Sequence, residues 1–265
     1  KTVIDFQYSG QILTFTCQKT DAPLINTAVH EALAELDKAV KELKLTSEAD
    51  VDNYDACYLP EGNILFQSTA TYLGVPCVFG SSHVTNTYKL DRKTGKVRQL
   101  TFDQEHNWNQ SVLPNGRVVF QRWEYTDTPH SNARLLMQMN PDGTGQMEFY
   151  GSGSYFPASV FYPRAMPGSQ NKVVSIVSGH HGVARVGRMI VFDPSVGTRE
   201  AEGCVHEFPY SKRKVVRKVA DRLVDGDWPK FLHPFPISET HVLAAAQLSR
   251  HSPWGIYLVD TFDNM

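Results

Sequence analysis

The sequence predicts an all-β fold, a β-propeller of four-stranded antiparallel blades. Three observations predict it. A unit of about 50 residues recurs along the chain, a period that belongs to solenoids and propellers. Pro- and Gly-bearing turns divide each unit into short apolar runs, as hairpin turns do. Several runs, Arg117–Phe120 and Val173–Val177 among them, are apolar on both faces, as strands stacked between neighbouring sheets are.

The recurrence is clearest between two adjacent units. Leu36-Asp37 through Thr46 matches Leu90-Asp91 through Thr101, and Tyr54-Asp55-Ala56-Cys57-Tyr58-Leu59-Pro60-Glu61-Gly62 matches Trp108-Asn109-Gln110-Ser111-Val112-Leu113-Pro114-Asn115-Gly116. Looser copies carry Asn140-Pro141-Asp142-Gly143, Asp193-Pro194 and Val259-Asp260 at the same place. The steps between Asp37, Asp91, Asn140, Asp193 and Asp260 are 54, 49, 53 and 67 residues.

Within a unit, Leu-Pro-x-Gly makes the first hairpin turn, since Pro presets φ and Gly permits a positive one. Thr94-Gly95 and Asp142-Gly143 mark a second hairpin. Two hairpins make four strands, and such sheets in series make a propeller. Val3–Tyr8, Gly10 and Ile12–Phe15 read as an earlier strand–turn–strand. About five units are recognisable, the first irregular and the last without its fourth strand.

Two segments depart from the repeat. Val29, Leu33, Leu36, Val40 and Leu43 fall at helical spacing in a stretch free of Gly and Pro, which points to a helix over 28–44; the repeat alignment asks for strands there. Residues 1–50 are therefore an irregular first blade or a capping element, and 51–265 the blades proper. The long step of 67 residues reflects a basic insert near 206–227. There Lys212, Arg213, Lys214, Arg217, Lys218 and Arg222 interleave with Val215, Val216, Val219 and Leu223. The insert reads as a solvated face; a docking patch for an acidic partner is the sharper alternative.

The chain has 265 residues, with 26 Lys plus Arg against 28 Asp plus Glu and a net charge of −2. That balance argues against gripping nucleic acid through bulk positive charge. A hydrophobic share of 41% with 20% charged residues suits a folded chain, and no apolar run reaches the length of a membrane span. Cys17, Cys57, Cys77 and Cys204 form no Cys-x-x-Cys pair, so thioredoxin-type, zinc-ribbon and c-type haem motifs are all missing. The opening Lys1-Thr2-Val3 is read as a processed or artificial boundary that does not place the protein in the cytosol.

The motifs Arg98-Gln99-Leu100-Thr101-Phe102-Asp103 and Asn140-Pro141-Asp142-Gly143-Thr144-Gly145 resemble those of TolB-like β-propellers. The chain looks most like the propeller region of hydrazine synthase alpha-subunit-like proteins. This likeness is carried by Arg122-Trp123-Glu124-Tyr125-Thr126-Asp127-Thr128-Pro129-His130, Ser178-Gly179-His180-His181-Gly182, Trp228-Pro229-Lys230-Phe231-Leu232-His233-Pro234 and Trp254–Asp260. It covers most of 50–265. It implies a periplasmic or secreted protein whose parent chain carries further domains. In hydrazine synthase the nitrogen chemistry belongs to c-type haems in those other domains, and this sequence lacks the haem attachment motif.

A blade's second-to-third strand loop lies on the same face as the start of its first strand. His83, His130, His180, His181 and His251 fall in such loops, and Trp108, Phe156 and Trp228 at such starts. The expected binding face therefore gathers Arg122, Glu124, Asp127, His130, His180, His181, Trp228, Lys230, His233 and His251. Of these, His130, His180, His181 and His251 are the candidate ligands for zinc or copper, which want three or four converging donors. A His beside Glu124 or Asp127 is a candidate general base, and Arg or Lys beside Trp could hold an anion or a sugar. Each has a plainer alternative. His130 could cap its own turn, the tryptophans could pack between blades, and His30, His106, His206 and His241 read as ordinary surface or boundary residues. No diagnostic catalytic spacing is present. The leading expectation is a binding or scaffold module that meets a small ligand or protein partner. The alternative is an enzyme with a His-based metal or general-base centre.

Overall fold

A computed structural model of the chain describes residues 2–8, 11–17, 27, 31, 50–124, 133–182, 185–209 and 222–265. These hold seventeen strands. An N-terminal hairpin pairs β1 (Thr2–Tyr8) with β2 (Gln11–Cys17). Three runs of four consecutive strands then follow as antiparallel meanders. The first is β3 (Asn53–Tyr58), β4 (Ile64–Ser68), β5 (Asn86–Leu90) and β6 (Val97–Gln99). The second is β7 (Asn107–Val112), β8 (Val118–Glu124), β9 (Ala133–Met139) and β10 (Met147–Tyr150). The third is β11 (Ser159–Ala165), β12 (Val173–Ser178), β13 (Arg188–Phe192) and β14 (Cys204–Phe208). One parallel step, Ser159 beside Arg134, links the second and third runs. The last run has three strands, β15 (Lys230–Pro236), β16 (His241–Gln247) and β17 (Trp254–Asp260), and β2 lies beside β17.

The turns form where the sequence marks them. At the first Leu-Pro-x-Gly, the Gly62 N–H donates to the Leu59 carbonyl at 2.8 Å, and at the second Gly116 donates to Leu113 at 2.9 Å. Both glycines sit at positive φ, 86° and 81°, where a Cβ would be strained. Gly143, donating to Asn140 at 2.9 Å, closes the hairpin between β9 and β10.

Alternation along the strands feeds both faces into core. On β8, Val118 and Phe120 pack with Leu59, Leu65 and Leu100 of the preceding run, while Val119 packs with Val160 and Val177 of the following one. On β12, Val173 and Val177 face the second run, and Val174 and Ile176 face Phe231, Val242 and Ala244 of the last. Successive side chains point to opposite faces, so near-continuous apolar runs are what sheets packed on both sides require. Each fully buried Val, Ile or Phe contributes about 1.5–3 kcal/mol relative to exposure.

Of the helix expected over 28–44, only Glu31 is described, and it is helical. At the start of the segment 206–227, His206-Glu207-Phe208 belong to β14, paired with Val191, Ile190 and Met189. Lys212, Arg213, Lys214, Arg217 and Lys218 lie outside the described residues, and Arg222 faces Asp225 at 3.3 Å on the surface.

Candidate functional site

The first strand of each run is broken by a β-bulge at the same place. Register jumps between Tyr54 and Cys57 on β3, Trp108 and Ser111 on β7, Phe161 and Arg164 on β11, and Leu232 and Phe235 on β15. The first extra residue is left-handed each time: Asp55 at φ 52°, Asn109 at 51°, Tyr162 at 54° and His233 at 48°. None is glycine. Asp, Asn and His tolerate this conformation better than most residues, and Tyr162 is the outlier. Bulges of this kind re-aim side chains, and strained backbone persists only where its surroundings over-determine it.

Here the surroundings are the other bulges. Asn109 donates its backbone N–H and its Nδ2 to Asp55 Oδ2 at 3.0 and 2.8 Å. The Tyr162 N–H donates to Asn109 Oδ1 at 3.3 Å. The Tyr162 ring lies 4.3 Å from the His233 imidazole, centroid to centroid. Four residues from four successive runs therefore touch in series.

Charge and aromatic surface surround this series. Arg185, exposed and itself left-handed at φ 54°, stacks over Trp108 at 4.9 Å and Phe161 at 5.8 Å. Arg164 is exposed on β11. The His233 pKa is lowered by removal from water and then by the Arg164 guanidinium, with Asp55 opposing. Burial raises the Tyr162 phenol, with Arg185 opposing.

Behind Trp108 runs an aromatic wall. His106 stacks on Trp108 at 4.5 Å and lies parallel to Trp123 at 6.0 Å. Arg134 covers Trp123 at 4.9 Å, and its Nη1 donates to the His180 carbonyl at 3.2 Å. Burial, then Arg185 and Arg134, push His106 down to about 4. The Thr85 N–H donates to its Nδ1 at 3.2 Å, which fits a neutral ring protonated on Nε2.

The residues singled out in the sequence divide among several places. His180 and His181 lie between β12 and β13, rings 4.5 Å apart, and His180 rests 5.5 Å from Trp123. Arg122 and Glu124 flank Trp123 on β8, so alternation turns them to the other face. There Arg122 meets Asp103 at 3.1 Å and Gln146 at 2.5 Å; burial raises the Glu124 carboxyl, with Arg122 opposing. Lys230 is buried beside Trp228 at 4.8 Å, its ammonium donating to the Val224 and Asp225 carbonyls. His233 stands in the bulge series. His251 is exposed in the β16–β17 turn, and His83 is exposed between β4 and β5. Asp127 and His130 lie outside the described residues. Among the described residues no three His, Cys, Asp or Glu side chains gather as a metal-ligand set.

Sequence reasoning missed Asp55, Asn109, Tyr162, Arg164 and Arg185, and it read His106 as an ordinary boundary residue although it is stacked within the wall. A signal existed for the first two, which occupy matching places in the clearest pair of repeats. For Tyr162 and His233 it was the following proline, Pro163 and Pro234.

No protein-family model matches the chain, and a search of curated proteins finds no match. The fold has solved counterparts. Hydrazine synthase from Kuenenia stuttgartiensis superposes with a TM-score of 0.54 at 15% identity, over 82% of this chain and 30% of that one. TolB from Acinetobacter baumannii gives a TM-score of 0.49 at 12% identity, over 83% of this chain and 43% of that one. This chain thus spans under half the length of either. At such identities the likeness is one of fold, and the chain resembles the TolB-like β-propellers.

Proposed function

We propose that the chain forms a binding module of about five propeller blades, residues 1–50 giving an irregular first one, each run of strands in 51–265 being one further blade and the last having three strands. In this reading the left-handed bulges face the ring axis, and Asp55, Asn109, Tyr162 and His233 line the mouth where a small ligand sits. The observation that carries it is their contact in series, which brings residues 178 positions apart, Asp55 and His233, to one place. A rigid ring that positions strand and loop residues around one funnel suits recognition. The module belongs to a longer, exported protein in this reading, in keeping with the family likeness.

The test is ligand-induced stabilisation of the full chain by citrate, inorganic phosphate, glucose and spermidine. Ligand at about 100 times its Kd adds about 2.7 kcal/mol. At least one probe should raise Tm in the native chain and not in Tyr162→Asn/His233→Asn, which keeps residues that tolerate the left-handed backbone. No shift with any probe, or equal shifts in the variant, contradicts the reading.

A further inference from the structure

We propose that the mouth takes an oxyanion, a carboxylate or phosphate group, held between the guanidiniums of Arg164 and Arg185 over the Tyr162 and His233 rings. This rests on the reading of the mouth as a binding site and names the chemistry of its ligand. Both arginines are exposed. Neither has a carboxylate within ion-pair distance among the described residues, whereas Arg122 and Arg188 on the same sheet system do, at 3.1 and 2.7 Å.

The one carboxylate in the series, Asp55, has Oδ2 already occupied by two donors from Asn109. Two positive charges thus face one partly satisfied negative charge, and an anion completes the balance. Arg164 stands two residues beyond Tyr162 on β11, and Arg185 stacks on Phe161, the residue before Tyr162; the Tyr162 and His233 ring centroids are 4.3 Å apart. The guanidinium fork matches the geometry of carboxylate and phosphate oxygens. Arg185 is already ordered by stacking on Trp108 and Phe161, so less side-chain entropy is lost when a ligand binds. The rings add apolar surface beneath the anion, as small-ligand sites combine apolar walls with a few placed polar groups.

Isothermal titration of the full chain at constant ionic strength tests this with citrate, inorganic phosphate, glucose and spermidine as probes. Citrate or phosphate should bind saturably, and the stronger of the two identifies a carboxylate or a phosphate source. Arg164→Ala and Arg185→Ala should each weaken it about tenfold or more, while Lys172→Ala, an exposed cation on another face, should not. Arg164 makes no hydrogen bond among the described residues, so its variant keeps the test meaningful should Arg185→Ala lose the fold. Native protein that binds neither anion, or a double variant with native affinity, overturns the proposal. Glucose binding that depends on Tyr162 and His233, without anion binding, would overturn the oxyanion and leave the binding mouth standing.

Discussion

Asn109 donates two hydrogen bonds to a single oxygen of Asp55, one from its backbone and one from its side chain. The two residues are 54 positions apart and occupy the same left-handed bulge in consecutive runs. Each helps hold the other in a conformation that an L-residue adopts at a cost of about 1–2 kcal/mol.

Substitution at Asn109 should separate backbone strain from the hydrogen bond. Asn109→Gly removes the side-chain bond to a charged acceptor, a loss of about 1.5–3 kcal/mol, but relieves the backbone. Asn109→Ala loses the same bond and keeps the strain, so it should be the less stable by about 1 kcal/mol. Urea unfolding of the two variants measures the gap; equal stabilities would mean that the bulge is not strained.

The packing between runs makes a larger prediction. Phe120 and Ile176 are fully buried, each between different pairs of sheets. Phe120→Ala should cost about 3–5 kcal/mol and Ile176→Ala about 2–5 kcal/mol. Urea midpoints check this, and losses under about 1 kcal/mol would mean that the sheets do not pack as described.

Much of the fold was legible because turn chemistry and two-faced apolar runs are local. Leu59-Pro60-Glu61-Gly62 and Val173–Val177 announce a hairpin and a doubly buried strand without any tertiary information. The site was less legible because it depends on where the bulges fall. A bulge shifts alternation by one residue, and Pro163 after Tyr162 marks the place without giving the shift, so Tyr162 and Arg164 could not be assigned a common mouth from spacing alone. Arg122 and Glu124 illustrate the converse. They adjoin Trp123 in sequence, yet strand alternation sends them to the opposite face from His180.

His106 should give the stability a pH dependence. Its folded pKa, about 4, lies below the ordinary value of 6.5, so the unfolded chain binds the extra proton first as pH falls. Its contribution is intact above pH 6.5 and is lost between 6.5 and about 4, on the order of 3 kcal/mol. Comparing urea unfolding of the native chain and His106→Gln across that window isolates it. Identical pH slopes would show that His106 titrates normally.

Cys57 and Cys204 should be inert. Burial pushes both thiols up to about 12, and the thiolate is the reactive form. Iodoacetamide at pH 8 should label neither in the native chain and both in urea, read by mass spectrometry. Rapid native labelling of Cys57 would mean that it does not pack against the cluster of Leu59, Leu65 and Val118.

The most direct measurement of the central claim is a nuclear Overhauser effect between the ring protons of Tyr162 and His233 in the native, unliganded chain. Rings with centroids 4.3 Å apart should give a strong cross-peak, joining the third run of strands to the last across the mouth. Fully assigned rings with no cross-peak between them would contradict the account.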